Sequence, residues 1–209
     1  MGEGRYSSTM FEVANAMLLS AICCAQMPPE VPQHLVDVAS SDGSSISGIT
    51  YYLAANEENA SDVNDGLSPV YTGENHGPWA TLEGPRLHKI QLYPGDSVAF
   101  REGVYSFDST KQDLPFPFVG TKKEPIRIFA WNNEEVTIDG QFDIDAFYKK
   151  WGDDAVKMFN KLHHHSRMSH ITGQWLVIDG IHFKGAPSAC FTWQGNHCVM
   201  ANCTVEGSV

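Results

Sequence analysis

Two segments near the C-terminal end of this chain repeat one another. Trp175 to Gly185 (WLVIDGIHFKG) lines up with His197 to Gly207 (HCVMANCTVEG) at an offset of 22 residues. Val177 matches Val199, Ile178 matches Met200, Gly180 matches Asn202, Ile181 matches Cys203 and Phe183 matches Val205. Repeats of about 20 to 50 residues mark solenoids or propellers. A unit this short, holding three short strands and no helix, predicts a parallel β-helix. One coil cannot bury its inner face alone. Coils stacked about 4.8 Å apart pair every strand and build a continuous core.

The rest of the chain reads in the same way. Short β-type runs occur at Thr50–Leu53, Ser97–Phe100, Ile126–Ala130, Val136–Ile138, Trp175–Ile178, Ile181–Phe183, Phe191–Trp193, Cys198–Met200 and Cys203–Val205, punctuated by Gly, Asn and Asp. Two stretches have rough helical spacing. Trp79 to Leu92 is interrupted by Gly84-Pro85, and Phe147 to Leu162 places Phe147, Trp151, Val156, Phe159 and Leu162 on one side. The second belongs to an insertion, Gln141 to Gly173, expected to project from the solenoid.

The N-terminal region is different. Ala14 to Ala25 is an apolar run too short for a bilayer, which takes about 20 residues. Its length suits the core of a signal peptide over residues 1–25, with cleavage before Gln26. Residues 26–49 are Pro-rich and then Ser-rich, the composition of a linker or loose lead-in. Residues 50–209 form the expected domain. The charged fraction is 19% and the net charge −11, without clustered Lys and Arg, which argues against a nucleic-acid partner. The five cysteines form no CxxC pair, so zinc ribbons and thioredoxin-like chemistry fall away. Cys190, Cys198 and Cys203 are expected as small buried thiols, with pairing left open.

Six landmarks follow in order: YYLAANEENASDVNDGLSP, GPWATLEG, YPGDSVAFREGVYSF, EPIRIFAWNNEEVTIDG, WLVIDGIHFKG and NHCVMANCTVEG. This order resembles secreted right-handed parallel β-helix proteins of the pectate-lyase-like superfamily, over about Thr50 to Val209. The resemblance implies an opening strand and loop, a helix capping the end of the solenoid, and a first coil built on the "PGD" segment. It also implies an N-terminal fragment, because such proteins run to several hundred residues with catalytic coils in mid-helix. A monomer is expected, secreted or periplasmic.

For activity, the resemblance implies a polysaccharide lyase acting on a uronate polymer. Calcium, held by carboxylates, would neutralise the uronate acid, and a Lys or Arg base would take the proton. No carboxylate cluster at coil spacing is present to carry this, so the catalytic residues remain unassigned. Asp139 and Asp179 each occupy an I-D-G turn, and Lys184 reads as a solvated surface charge. Asp62, Asn64 and Asp65 before Gly66 fall one residue short of a calcium loop and read as a turn. His163-His164-His165 cannot all face one way and reads as an exposed run. By family register, Phe191 to Gln194 is a first strand lining the sugar groove. Phe191 and Trp193 inward would put Thr192 and Gln194 on the groove; a shift of one would expose the aromatics as a platform. The interior is favoured for large apolar groups. Thr192, Trp193 and Gln194 are the candidate substrate-binding residues. A glycoside hydrolase on the same scaffold, or a non-catalytic carbohydrate-binding or adhesin β-helix, are the alternatives.

Overall fold

A computed structural model describes residues 48–162 and 167–206. Twelve strands occur among them: β1 (Thr50–Leu53), β2 (Ser97–Phe100), β3 (Gly103–Ser106), β4 (Leu114–Phe116), β5 (Ile126–Ala130), β6 (Val136–Asp139), β7 (Arg167–Ile171), β8 (Leu176–Asp179), β9 (Ile181–Lys184), β10 (Ala189–Trp193), β11 (Val199–Ala201) and β12 (Thr204–Val205). They form three sheets, ordered β1-β2-β5-β8-β11, β3-β6-β9-β12 and β4-β7-β10, and every strand pairing is parallel. From β2 onward the chain visits the sheets in rotation, so each strand pairs with the one three places later. The domain is therefore all-β and parallel.

The repeat is the pairing register. Val177 lies beside Val199 and Ile178 beside Met200, and Phe183 lies beside Val205. Like residues stack on like, and the inner faces of the three sheets meet in one core. Ile128 and Ile178 come from the first sheet, Ile138 and Phe183 from the second, Phe116 and Ile171 from the third. Each such side chain contributes about 1.5–3 kcal/mol when fully withdrawn from water.

The corner between the first and second sheets is sharp and needs a left-handed residue. Gly180 supplies it between β8 and β9 (φ +71°), and Asn202 supplies it between β11 and β12 (φ +50°). Gly and Asn are the residues that tolerate this conformation most readily. This explains the Gly180–Asn202 correspondence in the repeat.

One end of the core is closed by Trp79, fully buried. Its ring stacks on Tyr51 at 5.5 Å, and its Nε1 donates to Asn64 O at 2.7 Å. The helix expected over Trp79 to Leu92 is only one turn, α1 (Glu83–Leu87). Gly84 is the reason the turn can sit there. A Cβ on Gly84 would land on the Trp79 side chain. Pro85 falls in the first turn of α1, where its missing N–H costs nothing.

The expected insertion is shorter than Gln141 to Gly173. Its helical part is α2 (Ile144–Trp151), capped by Asp143 accepting from Ala146 N at 2.9 Å, and α3 (Ala155–Leu162). The break between them falls at Gly152 (φ +48°). Phe142, Phe147 and Phe159 gather their rings 5.5–6.4 Å apart. β7 then returns to the third sheet between β4 and β10. The sequence RMSHI hides this strand, because its alternation carries Ser169, fully buried, where an apolar residue would announce a core position.

The residues proposed as a signal peptide, most of the lead-in, and His163-His164-His165 lie outside the described residues. Among the described residues no helix is long and apolar enough to cross a membrane.

Candidate functional site

The third sheet sets the position of Thr192, Trp193 and Gln194. In register, Phe116, Ile171 and Trp193 form one file, and Pro115, His170 and Thr192 form the next. Ile171 and Phe116 are buried core residues. Trp193 therefore occupies an inward position. It is 40% exposed because β10 is the edge strand of this sheet and only one neighbour covers it. Phe191 also faces in, with its ring edge-on to Phe183 at 4.8 Å. Phe191 is thus taken up by the core, while Trp193 keeps an exposed part of its ring.

Thr192 stands in the outward file with His170. The Arg167 guanidinium donates to Thr192 Oγ1 at 3.5 Å, and His170 Nε2 lies 3.3 Å from Gln194 Oε1. Two basic side chains, a hydroxyl and an amide thus share one patch. Arg167 and His170 were not legible as candidates, because the strand that carries them was not. The arrangement suits an anionic, hydroxyl-rich ligand: charge-assisted bonds to a carboxylate from Arg167, and neutral bonds to sugar hydroxyls from Thr192 and Gln194.

The other candidates are structural. Asp62 accepts from Thr81 N at 2.8 Å and from Thr81 Oγ1 at 2.6 Å. Asn64 is buried, with its amide donating to Asn59 O and Pro78 O. Asp65 accepts from Leu67 N and pairs with His76 Nδ1 at 2.7 Å. Burial opposes ionisation of Asp65, but His76 and two backbone N–H groups together hold its carboxyl below the usual range. These three hold a loop around Trp79 and do not converge on a cation. Among the described residues, no group of three or more His, Cys, Asp or Glu could hold a metal ion.

Lys184 is not a free surface charge. It stands in register with Asp139, 3.5 Å from its carboxylate. Asp139 Oδ1 also accepts from Gln141 N at 2.8 Å, closing the I-D-G turn. Asp179 accepts from Asn202 Nδ2 at 2.8 Å. Burial pushes the Asp179 carboxyl up, against the opposing pull of Asn202 and Arg127. Among the described residues Cys190, Cys198 and Cys203 form no disulfide; burial pushes Cys203 up to about 11, which leaves it unreactive at neutral pH.

No family model matches the chain, and no curated protein matches it. Solved structures do. A pectate lyase, Pel9A, superposes with a TM-score of 0.53 at 19% identity, over 76% of this chain and 34% of its own. A rhamnogalacturonan lyase (TM-score 0.42, 19% identity, 65% of this chain and 28% of its own) and a GH136 lacto-N-biosidase from Eubacterium ramulus (0.45, 14%, 75% and 34%) are looser likenesses. At such identity the first speaks to fold alone. The chain spans about a third of that lyase's length.

Proposed function

We propose that this chain is the N-terminal part of a secreted right-handed parallel β-helix whose parent protein acts on an acidic polysaccharide. The reaction proposed is cleavage of a uronate polymer by calcium-assisted β-elimination. The observation that carries the substrate class is the outward patch of Arg167, His170, Thr192 and Gln194 on the third sheet. It is a local basic and hydroxyl-binding surface on a chain of net charge −11. The three parallel sheets visited in rotation, and their likeness in fold to a pectate lyase, support the scaffold. The reaction type comes by analogy with that enzyme, because a fold hosts many chemistries.

The described residues do not fit a calcium site, so no catalytic step is assigned to them. In this proposal the carboxylates and the base stand on coils outside them. Arg167 takes the uronate carboxylate, Thr192 and Gln194 take hydroxyls, and together they fix the position of the polymer on the outer face.

The test uses the parent protein with pectate and with alginate in calcium buffer. Unsaturated product absorbing in the ultraviolet, and lost on chelation, is the expected result. New reducing ends without that absorbance would move the assignment to a glycoside hydrolase. Retention on immobilised polymer with neither product would make the protein a binding module, and no retention would remove the carbohydrate assignment.

A further inference from the structure

The outer face of the third sheet continues past the ends of its strands. Bridges join Val119 to Gln174 and Gln174 to Asn196, while Gln174 N donates to Phe118 O and Asn196 N to Gly173 O. Alternation then sets out three outward rows. His170 and Thr192 stand beside Pro115 in the first, and Gln174 and Asn196 beside Val119 in the last. Between them Pro117, Thr172 and Gln194 each follow a residue of the inward file, Phe116, Ile171 or Trp193. All of these outward positions reach solvent. The rows cover about 13 Å along the strands and about 10 Å across them, room for more than one sugar ring.

Charge is confined to one end of this face. None of the three rows holds an Asp, Glu, Lys or Arg. Arg167, at the start of β7, brings a guanidinium to the His170 end, where it donates to Thr192 Oγ1. Among the described residues no carboxylate pairs with it. Asp113, exposed, precedes β4 at the same end. Lys122 and Lys123 follow the last row in the chain, in the turn closed by Thr121 N donating to Glu124 O.

We infer that this face takes a polysaccharide in which acidic and neutral sugars share one chain, and not one with a carboxylate on every unit. The inference rests on the acidic-polysaccharide reading above and narrows it. Arg167 holds one carboxylate by a charge-assisted bond. Thr172, Gln174, Gln194 and Asn196 can each donate and accept, which matches sugar hydroxyls. A carboxylate over them would meet amide oxygens and gain no cation. Pro115, Pro117 and Val119 carry no polar side-chain atom. A charged group laid on them would lose water without finding a partner, whereas the C–H face of a neutral sugar has no charge to desolvate.

Affinity electrophoresis of the full chain through gels holding galacturonan tests this. The polymer is used unesterified, partly methyl-esterified and fully methyl-esterified, because esterification removes charge and keeps the backbone. Chelator is present so that calcium cannot bridge the unesterified polymer. Retardation is expected to be several-fold greater on the partly esterified polymer than on either of the others. Arg167→Gln should bring the partly esterified polymer down to the level of the fully esterified one. Gln174→Lys adds a cation to the last row and should move the strongest retardation to the unesterified polymer. Val104→Lys adds the same charge to the second sheet, where Val104 is 55% exposed, and should leave the order alone. Circular dichroism checks that each variant folds. Strongest retardation of the unaltered chain on the unesterified polymer would overturn the inference and leave the acidic-polysaccharide reading standing. So would an order that Gln174→Lys does not change, or that Val104→Lys changes equally. Retardation that is equal on all three, strongest on the fully esterified polymer, or absent would remove both.

Discussion

Asn202 donates its side-chain amide to Asp179 Oδ1 at 2.8 Å, linking the turn between β11 and β12 to the turn between β8 and β9. Asn202 also holds the left-handed backbone at that corner, with φ of +50°. Replacing Asn202 by Ala removes the bond and strains the corner together. The expected loss is about 1–3 kcal/mol, measured by urea denaturation. Asn202→Gly keeps the backbone and should lose less.

The same corner has a pH signature. Asp179 is pushed up by burial, so the folded state holds its proton more tightly than the unfolded chain does. Stability attached to that proton is present at low pH and is lost as pH rises from the unfolded value through the raised folded one. Asp179→Asn keeps an oxygen for Asn202 and has no charge to desolvate. Its stability between pH 4 and 7 should fall less with rising pH than that of the unaltered protein, in parallel denaturation series.

Gly84→Ala reverses the usual rule for helices. In an open helix this change is worth about 1 kcal/mol of stabilisation. Here the new methyl meets the Trp79 side chain, which is locked between Tyr51 and the bond to Asn64 O. The expected result is destabilisation by about 1–3 kcal/mol. Trp79→Ala should cost about 3–5 kcal/mol. A stabilised Gly84→Ala variant would show that α1 does not rest on Trp79.

Tyr105 binds three backbone groups through one hydroxyl. It donates towards Leu53 O at 3.0 Å and Arg101 O at 2.8 Å and accepts from Ala55 N at 3.2 Å. Tyr105→Phe removes a bond from each of these groups, although Leu53 O keeps Arg101 N at 2.8 Å, at a cost of about 1–3 kcal/mol. Burial pushes the Tyr105 hydroxyl up to about 12. Stability tied to its proton is complete below the unfolded value near 10 and is lost as pH rises towards 12. The Phe variant should start lower and fall less steeply over that alkaline range.

On the third sheet, the outward and inward files should separate binding from folding. Arg167→Ala and Gln194→Ala should weaken retention on immobilised pectate several-fold with little change in the denaturation midpoint. Trp193→Ala, in the core file but half-covered, should lower stability by about 1–2 kcal/mol. Loss of retention by Trp193→Ala at unchanged stability would instead make Trp193 a sugar platform.

Periodicity was enough for the parallel pairing of the strands. The 22-residue offset put Val177 against Val199 and Phe183 against Val205, because where repeats pair in parallel the sequence period is the pairing register. Turn chemistry is local as well: Gly180 and Asn202, matched in the repeat, are residue types that tolerate the left-handed corner they occupy. Strands β3, β4 and β7 were not legible as β-type runs. GVYS opens on Gly and LPF is three residues long with a central Pro, so neither announces a strand, while RMSHI lacks apolar alternation and β7 is held by main-chain bonds to both β4 and β10 whatever its side chains are. Everything that depends on two strands distant in sequence was left to the tertiary structure. That includes Arg167 beside Thr192, Lys184 on Asp139, and the outward Val177 hidden from water. Side-chain identity fixes what a residue can bond, but only the pairing of distant strands decides which partner, from many residues away, stands within reach.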